Sequence, residues 1–167
     1  YFEKSSSANC TYIWWFTKPL YITDNMLHLT FGNRIRTKNG RELWDFSNTL
    51  VDGTIKILLP ELETHKSLID KLEMPRNFYD YYYENREKNI RTYEATTYTA
   101  CWIGLPNMYE EIENCLQFIK SNLSTSISWI KQISDNLNLL KKQMTHDDIL
   151  AILKDWKNNT VAKLKLG

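Results

Sequence analysis

Apolar and polar residues alternate along the first third of the chain. The alternation has period two in residues 27–31 and again in residues 54–59, which is typical of strands that bury one face. Asn39-Gly40 and Asp52-Gly53 lie between these stretches, and both dipeptides tolerate the positive φ angles of tight hairpin turns. The pattern predicts three antiparallel strands joined as a β-meander.

Two further segments have the composition of strands. Residues 11–18 are rich in aromatic and β-branched side chains, carry apolar residues on both faces, and are followed by Pro19. Residues 90–103 alternate again until Gly104. We expect both segments to join the sheet, and we expect the polar residues 1–10 to form a loose arm.

The last third of the chain has the spacing of amphipathic helices. Apolar residues recur at alternating steps of four and three, which is a heptad pattern. This seam consists of Ile112, Leu116, Ile119, Leu123, Ser126, Ile130, Ile133, Leu137, Leu140 and Met144. The serines within residues 121–128 mark a point where it can break into two helices. Thr145 with Asp148, and Asn107 with Glu110, are spaced like helix-capping pairs.

These elements together predict one α+β domain over residues 1–167. An antiparallel β-meander plus further strands packs against a C-terminal set of long amphipathic helices. Residues 1–10 form the arm. Residues 11–103 form mainly sheet with two short helices, one of them over residues 77–88, and residues 107–157 are helical.

Composition and charge limit the classes of function that the sequence supports. Lys and Arg number 21 against 20 acidic residues, a net charge of +1, so no overall field attracts nucleic acid or an anionic membrane. No apolar run is long enough to form a membrane-spanning helix. The chain starts at Tyr1, which leaves open a signal peptide or anchor removed upstream.

Cys101 and Cys115 could form one bridge, but the odd number of cysteines, with Cys10 as the third, favours buried free thiols.

One short segment has the form of a catalytic strand. His28 and Thr30, between Leu27 and Phe31, resemble one strand of the two-histidine phosphoesterases. Those enzymes need a second such strand so that two imidazoles exchange protons across one phosphate. The other His-x-Ser here begins at His65, on a predicted helix, so the resemblance covers five residues and lacks its second half.

Other common catalytic patterns are missing from the sequence. No His has a second His or Cys at ligand spacing, and neither a glycine-rich phosphate loop nor a nucleophile elbow is present. We therefore predict no metal site and no cofactor.

Two groups of residues are candidates for binding a partner. Arg34, Arg36 and Lys38 share one face of a predicted strand. The densest aromatic group, which we call the tyrosine cluster, consists of Tyr79, Tyr81, Tyr82 and Tyr83. Because these tyrosines crowd into about one and a half helical turns, they cannot all face one core, and exposed tyrosines are typical of binding surfaces.

The sequence therefore favours a non-enzymatic protein-binding module, with an immunity-type inhibitor of a toxin as one version. Its partner would be another protein or a second copy, docked on the heptad seam and the tyrosine cluster, and nucleic acid is not expected. Two alternatives remain. One is a small hydrolase or nucleic-acid-processing enzyme that uses His28 and Thr30. The other is an exported domain trimmed from a membrane anchor. No residue indicates the cellular compartment.

Overall fold

The chain divides into two compact units in the computed structural model. An N-terminal unit comprises Tyr1–Lys18 and Leu27–Glu73, and a helical unit comprises Pro19–Met26 and Met74–Gly167. The structure describes residues 2–4, 11–16, 18–23, 32–35, 63 and 65–164. That the chain is one domain stays a prediction.

The described residues of the N-terminal unit include three short strands and a helical segment. The strands are β1 (Phe2–Lys4), β2 (Thr11–Phe16) and β3 (Gly32–Ile35), and residues 65–72 are helical. The strands form one antiparallel sheet in the order β1-β2-β3. Ile13 lies opposite Phe2 in one pairing and opposite Ile35 in the other.

The prediction of an α+β fold built on a β-meander is wrong. Among the residues whose side chains are described, 78% are helical and none lies in a strand, so this is a helical protein. The three short strands are not the predicted meander, since β1 falls on the predicted loose arm and β3 pairs back with β2. Both predicted turns, Asn39-Gly40 and Asp52-Gly53, lie outside the described residues.

Five α-helices lie within the described residues of the helical unit. They are α1 (Pro75–Tyr83), α2 (Ile90–Ile103), α3 (Met108–Asn122), α4 (Ser128–Lys141) and α5 (His146–Leu164), with a 3₁₀ turn at Arg86–Lys88 between the first two. In the described part of the chain, no helix is long and apolar enough to cross a membrane.

Helix α2 is the centre of this unit. It contacts α1, α3 and α5, and eleven of its fourteen residues are buried. Tyr93 packs against Phe118 of α3, and Tyr98 packs against Trp156 of α5. Because α2 is buried around most of its circumference, its sequence has no polar face to reveal a helical period.

The predicted strand over residues 90–103 is therefore wrong, and both ends of α2 show why it is a helix. The side chain of Asn89 accepts a hydrogen bond from the Arg91 N–H, which caps the start. Gly104 adopts φ 68° at the end, and Leu105 N–H donates to Ala100 O in a Schellman arrangement. Glycine is strongly favoured in this left-handed conformation.

Two of the threonine hydroxyls inside α2 find partners on the helix itself. Thr96 donates to the carbonyls of Thr92 and Tyr93, and Thr99 donates to Ala95 O at 2.6 Å. These bonds remove the cost of burying an unpaired hydroxyl. A segment rich in β-branched threonine can thus form a central helix.

The heptad seam predicted from the sequence is confirmed as a buried face. It runs along α3 and α4, which break apart at the serines, and its buried members are Ile112, Ile119, Ile130, Ile133, Leu137 and Leu140. Met144 is 89% exposed and lies beyond the end of α4. The capping pair Thr145 and Asp148 is confirmed by two hydrogen bonds. The other capping pair is wrong, because the side chain of Asn107 caps no N–H of α3.

Candidate functional site

The tyrosine cluster is divided between packing and exposure. Tyr79 is buried and its ring centroid lies 4.9 Å from that of Tyr83. Tyr82 is half-buried and packs against Phe78. Tyr81 is 47% exposed, which makes it the member of the cluster best placed to touch a partner.

A buried charged pair lies beside the cluster. Glu111 of α3 is 2% exposed, and its Oε1 accepts hydrogen bonds from Tyr83 Oη at 3.1 Å and from Asn107 Nδ2 at 3.2 Å. Its Oε2 lies 3.5 Å from Nε of Arg86. The guanidinium of Arg86 stacks over the Tyr83 ring, with Cζ 3.7 Å from the centroid. These contacts join α1 to the first turn of α3.

The electrostatics of this pair fit a structural role. Burial is the largest single influence on Arg86 and would lower its pKa, but the Glu111 carboxyl group together with Tyr83 and Tyr93 outweighs burial, so the pKa is raised. Burial, followed by the charge of Glu111, raises the pKa of Tyr79, and burial raises that of Tyr82 to about 12. The guanidinium is therefore kept charged beside a carboxylate, and the phenols are kept neutral.

A second charged pair supports an exposed tryptophan. Glu94 of α2 is 2% exposed, and its Oε2 accepts a hydrogen bond from Arg91 Nη1 at 3.1 Å. On the surface side, Cζ of Arg91 lies 4.2 Å from the ring centroid of Trp129 in the first turn of α4. Trp129 is 39% exposed, and Ile127, two residues earlier, is 44% exposed. We call Arg91, Ile127 and Trp129 the Trp129 surface.

Two of the other exposed apolar side chains in the described residues are tyrosines with a defined contact. Tyr109 donates its hydroxyl to Gln143 O at 3.2 Å, and Tyr81 packs edge-on against Tyr82. Met74, Leu139 and Met144 complete this set. The Trp129 ring is thus distinguished by a charged group fixed beneath it.

The described cysteines and histidines do not form a reactive centre. Cys101 and Cys115 are free and buried, and burial raises the pKa of each to about 12, so both remain neutral thiols at ordinary pH. Nε2 of His146 lies 2.9 Å from Cys101 O, at the end of α2. Among the described residues, no group of three His, Cys, Asp or Glu side chains could hold a metal ion.

An open cleft of about 410 Å³ lies between α3 and α4. Its lining includes Ile119 and Leu123 together with the charged residues Glu113, Lys120 and Lys141. Those charged side chains are exposed, and Lys141 pairs with Glu113 across the cleft. Because exposed charges are well solvated, these three side chains would contribute little to binding a ligand in the cleft.

The other residues selected from the sequence fall in or beside the N-terminal unit's undescribed parts. Arg34 lies in β3, whereas Arg36 and Lys38 lie outside the described residues, as do His28 and Thr30. The basic face and the phosphoesterase-like strand stay predictions.

Comparison with known proteins gives no relative from which to transfer a function. No protein-family model, no curated protein and no solved structure matches this chain. The function has to be inferred from the residues themselves.

Sequence reasoning missed Arg91, Glu94 and Trp129, although one signal was present. Glu94 is the only charged residue between Thr92 and Ile103, and it follows Arg91 by three positions. On a helix, that spacing places both side chains on one face as an ion pair. In a strand the same spacing would place Arg91 and Glu94 on opposite faces, so the predicted strand over 90–103 hides the pair.

Proposed function

We propose that this chain is a non-enzymatic protein-binding module that docks a partner on the Trp129 surface. The observation that carries the proposal is an exposed indole held in place by Arg91, which is itself anchored by the buried Glu94. An immunity-type inhibitor of a toxin is one protein of this kind.

A fixed and exposed tryptophan suits binding for an energetic reason. Association normally loses about 0.5–1.5 kcal/mol for each flexible side chain that becomes immobile at an interface. Stacking on Arg91 restricts the Trp129 ring before the partner arrives, so less of this entropy is lost. Tryptophan and arginine, together with tyrosine, are also the residue types most enriched among those that dominate binding energy.

The predicted heptad seam cannot supply the docking surface. Ile119, Ile133 and Leu137 are buried within the helical unit and stabilise its fold. The tyrosine cluster retains Tyr81 as an exposed member, while Tyr79 and Tyr83 hold α1 in place. The Trp129 surface combines exposure with fixed geometry, and this is why we favour it.

The test compares two full-length variants as baits in cells that make the protein. Trp129→Ala removes the proposed anchor, and Leu139→Ala removes a similarly exposed side chain elsewhere on α4. For a stoichiometric partner of the wild-type chain, Trp129→Ala should weaken binding by about thirtyfold, since truncation of a dominant tryptophan loses about 2 kcal/mol or more. Titration calorimetry with the purified partner measures this change.

Leu139→Ala should bind within about fivefold of wild type, because peripheral truncations lose less than about 1 kcal/mol. Equal binding by wild type and Trp129→Ala would refute the docking surface. If Tyr81→Ala weakens binding of the partner and Trp129→Ala does not, the docking surface is the tyrosine cluster instead. Arg91→Lys preserves the charge beside Glu94 but loses the planar stack, and an intermediate loss of affinity in that variant would support preorganisation.

A further inference from the structure

A short segment from early in the chain is inserted among the helices. Residues 19–23 form a turn in which Ile22 N–H donates to Pro19 O at 3.1 Å. Tyr21 and Ile22 are both buried. We call residues 19–23 the plug. It belongs to the helical unit, whereas the residues before it and those from Leu27 onward belong to the N-terminal unit.

Tyr21 is the deepest polar anchor of the plug. Its hydroxyl lies 2.6 Å from Oγ1 of Thr99 in α2. Because the Thr99 hydroxyl already donates to Ala95 O, Tyr21 is the donor in this bond. Its ring stacks on Trp102, one helical turn further along α2, with centroids 5.1 Å apart.

The rest of the plug is held by α4 and α5. Nδ2 of Asn136 in α4 donates to Oγ1 of Thr23 at 3.0 Å. The hydroxyl of Thr160 in α5 donates to the carbonyl of Ile22 at 3.4 Å. Three helices thus bind an aromatic ring, a backbone carbonyl and a hydroxyl. Peptide-binding sites commonly recognise groups of these kinds.

The side chains that bind the plug would still have hydrogen-bond partners in its absence. Thr99 keeps its bond to Ala95 O, and the polar ends of Asn136 and Thr160 can bind water in place of the segment. A purely apolar socket would have no such substitute and would collapse or remain empty. The polar groups of the socket would therefore not be left without hydrogen-bond partners if the plug were released.

We propose that the socket formed by α2, α4 and α5 is a peptide-recognition site for a Tyr-Ile-Thr turn, occupied in cis by the chain's own plug and open to exchange. The proposal is independent of the Trp129 surface. Covalent attachment gives the plug a local concentration in the millimolar range, so the same sequence supplied in trans competes poorly until the plug is weakened.

The experiment uses the full chain and a fluorescein-labelled peptide of residues 18–24, with binding followed by fluorescence anisotropy. The variant Tyr21→Ser with Ile22→Ser weakens the plug. It should bind the peptide at least tenfold more tightly than the wild-type chain does. A peptide with Ala in place of its tyrosine should not bind, and adding Thr99→Val to the weakened chain should reduce affinity for the original peptide.

Several outcomes would overturn the proposal. They are equal binding by wild type and the weakened chain, equal binding of the alanine peptide, and no binding by a weakened chain that keeps the wild-type circular dichroism spectrum. If the double variant does not fold, Tyr21→Phe provides the test, because it removes only the hydrogen bond to Thr99. If Tyr21→Phe binds the peptide more tightly than the wild-type chain does, the result would support the socket. If its affinity is no higher, the result would refute it.

Discussion

Arg86, in the 3₁₀ turn that follows α1, and Glu111 of α3 form a charged pair that links these two elements. Neither Nε of Arg86 nor Oε2 of Glu111 has a hydrogen-bond partner among the described residues, so charge attraction links these two atoms at 3.5 Å. Removal of one partner leaves the other charge buried and uncompensated. Replacement of both by apolar residues avoids that penalty.

We predict that Glu111→Leu lowers the free energy of unfolding by about 3–5 kcal/mol, as is usual when one member of a buried pair is lost. The double variant Arg86→Met with Glu111→Leu should recover most of this loss. Urea denaturation of the three proteins measures both effects. Asp80→Ala breaks the exposed pair with Arg76 and serves as the control, with a change of less than about 1 kcal/mol. A double variant no more stable than Glu111→Leu would show that geometry, and not charge, holds this contact.

The two buried thiols predict a loss of stability in alkali. Their pKa in the folded protein is about 12, against a reference value of 9.0. The folded state therefore holds these protons more tightly than the unfolded state does. Their contribution is complete below pH 9 and is lost as the pH rises from 9 towards 12.

Each thiol should reduce the free energy of unfolding by about 1.4 kcal/mol per pH unit within that window. We expect the variant Cys101→Ala with Cys115→Ala to show a shallower decline between pH 9 and pH 10, whatever its stability at neutral pH. Urea midpoints measured across this range provide the comparison with wild type. Parallel declines would mean that other groups, such as the buried tyrosines, cause the loss.

At the scale of elements, amphipathic helices were predictable and the central helix was not. Ile130, Ile133 and Leu137 show the helical period because the opposite side of α4 faces water. Helix α2 has no such contrast, since Thr96, Tyr98 and Ala100 are as buried as Thr97, Thr99 and Cys101. The alternating residues of this segment therefore resemble the period-two pattern of a strand.

The end signals of α2 were more informative than its interior. Asn89 before the segment and Gly104 followed by Pro106 after it are common helix boundaries. The ion pair between Arg91 and Glu94 could be predicted only for a helix, in which residues three positions apart lie on one face. Prediction of the Trp129 surface needed the tertiary contact between α2 and α4, which no local pattern contains.

Gly104 provides a test of the α2 end. A Cβ at this position would meet Cε1 of His146 at 2.8 Å, and the residue has φ 68°. We predict that Gly104→Ala destabilises the protein by about 1–2 kcal/mol from the left-handed backbone alone, with a further loss from the clash. Thermal and urea denaturation measure the total.

The same substitution in a His146→Ala background separates the two causes. Removal of the imidazole relieves the clash but leaves the backbone conformation, so Gly104→Ala should cost less there than in the wild type. Equal costs in both backgrounds would show that the His146 ring moves aside freely, despite its contact with Cys101 O.

At the scale of the whole molecule, a net charge of +1 agrees with a partner recognised by shape and apolar contact. We predict that affinity for a partner on the Trp129 surface changes by less than about threefold between about 50 and 200 mM salt. A protein that neutralises six to ten phosphates of nucleic acid would lose about 10³–10⁵ in affinity over the same range. Calorimetric titrations at several salt concentrations decide between them. A steep salt dependence abolished by substituting Arg34, Arg36 and Lys38 with Ala would favour the basic face.

The position of the plug has a consequence for how the protein is made. Ile22 leaves the ribosome long before Thr160, its partner 138 residues later. At about 5–20 residues per second, synthesis of the intervening chain takes roughly 7–28 seconds. During that interval Tyr21 and Ile22 have no socket, and their apolar surfaces are available to chaperones or to neighbouring nascent chains. Slower translation would lengthen this exposure, so the yield of folded protein should depend on the speed of synthesis as well as on the final stability.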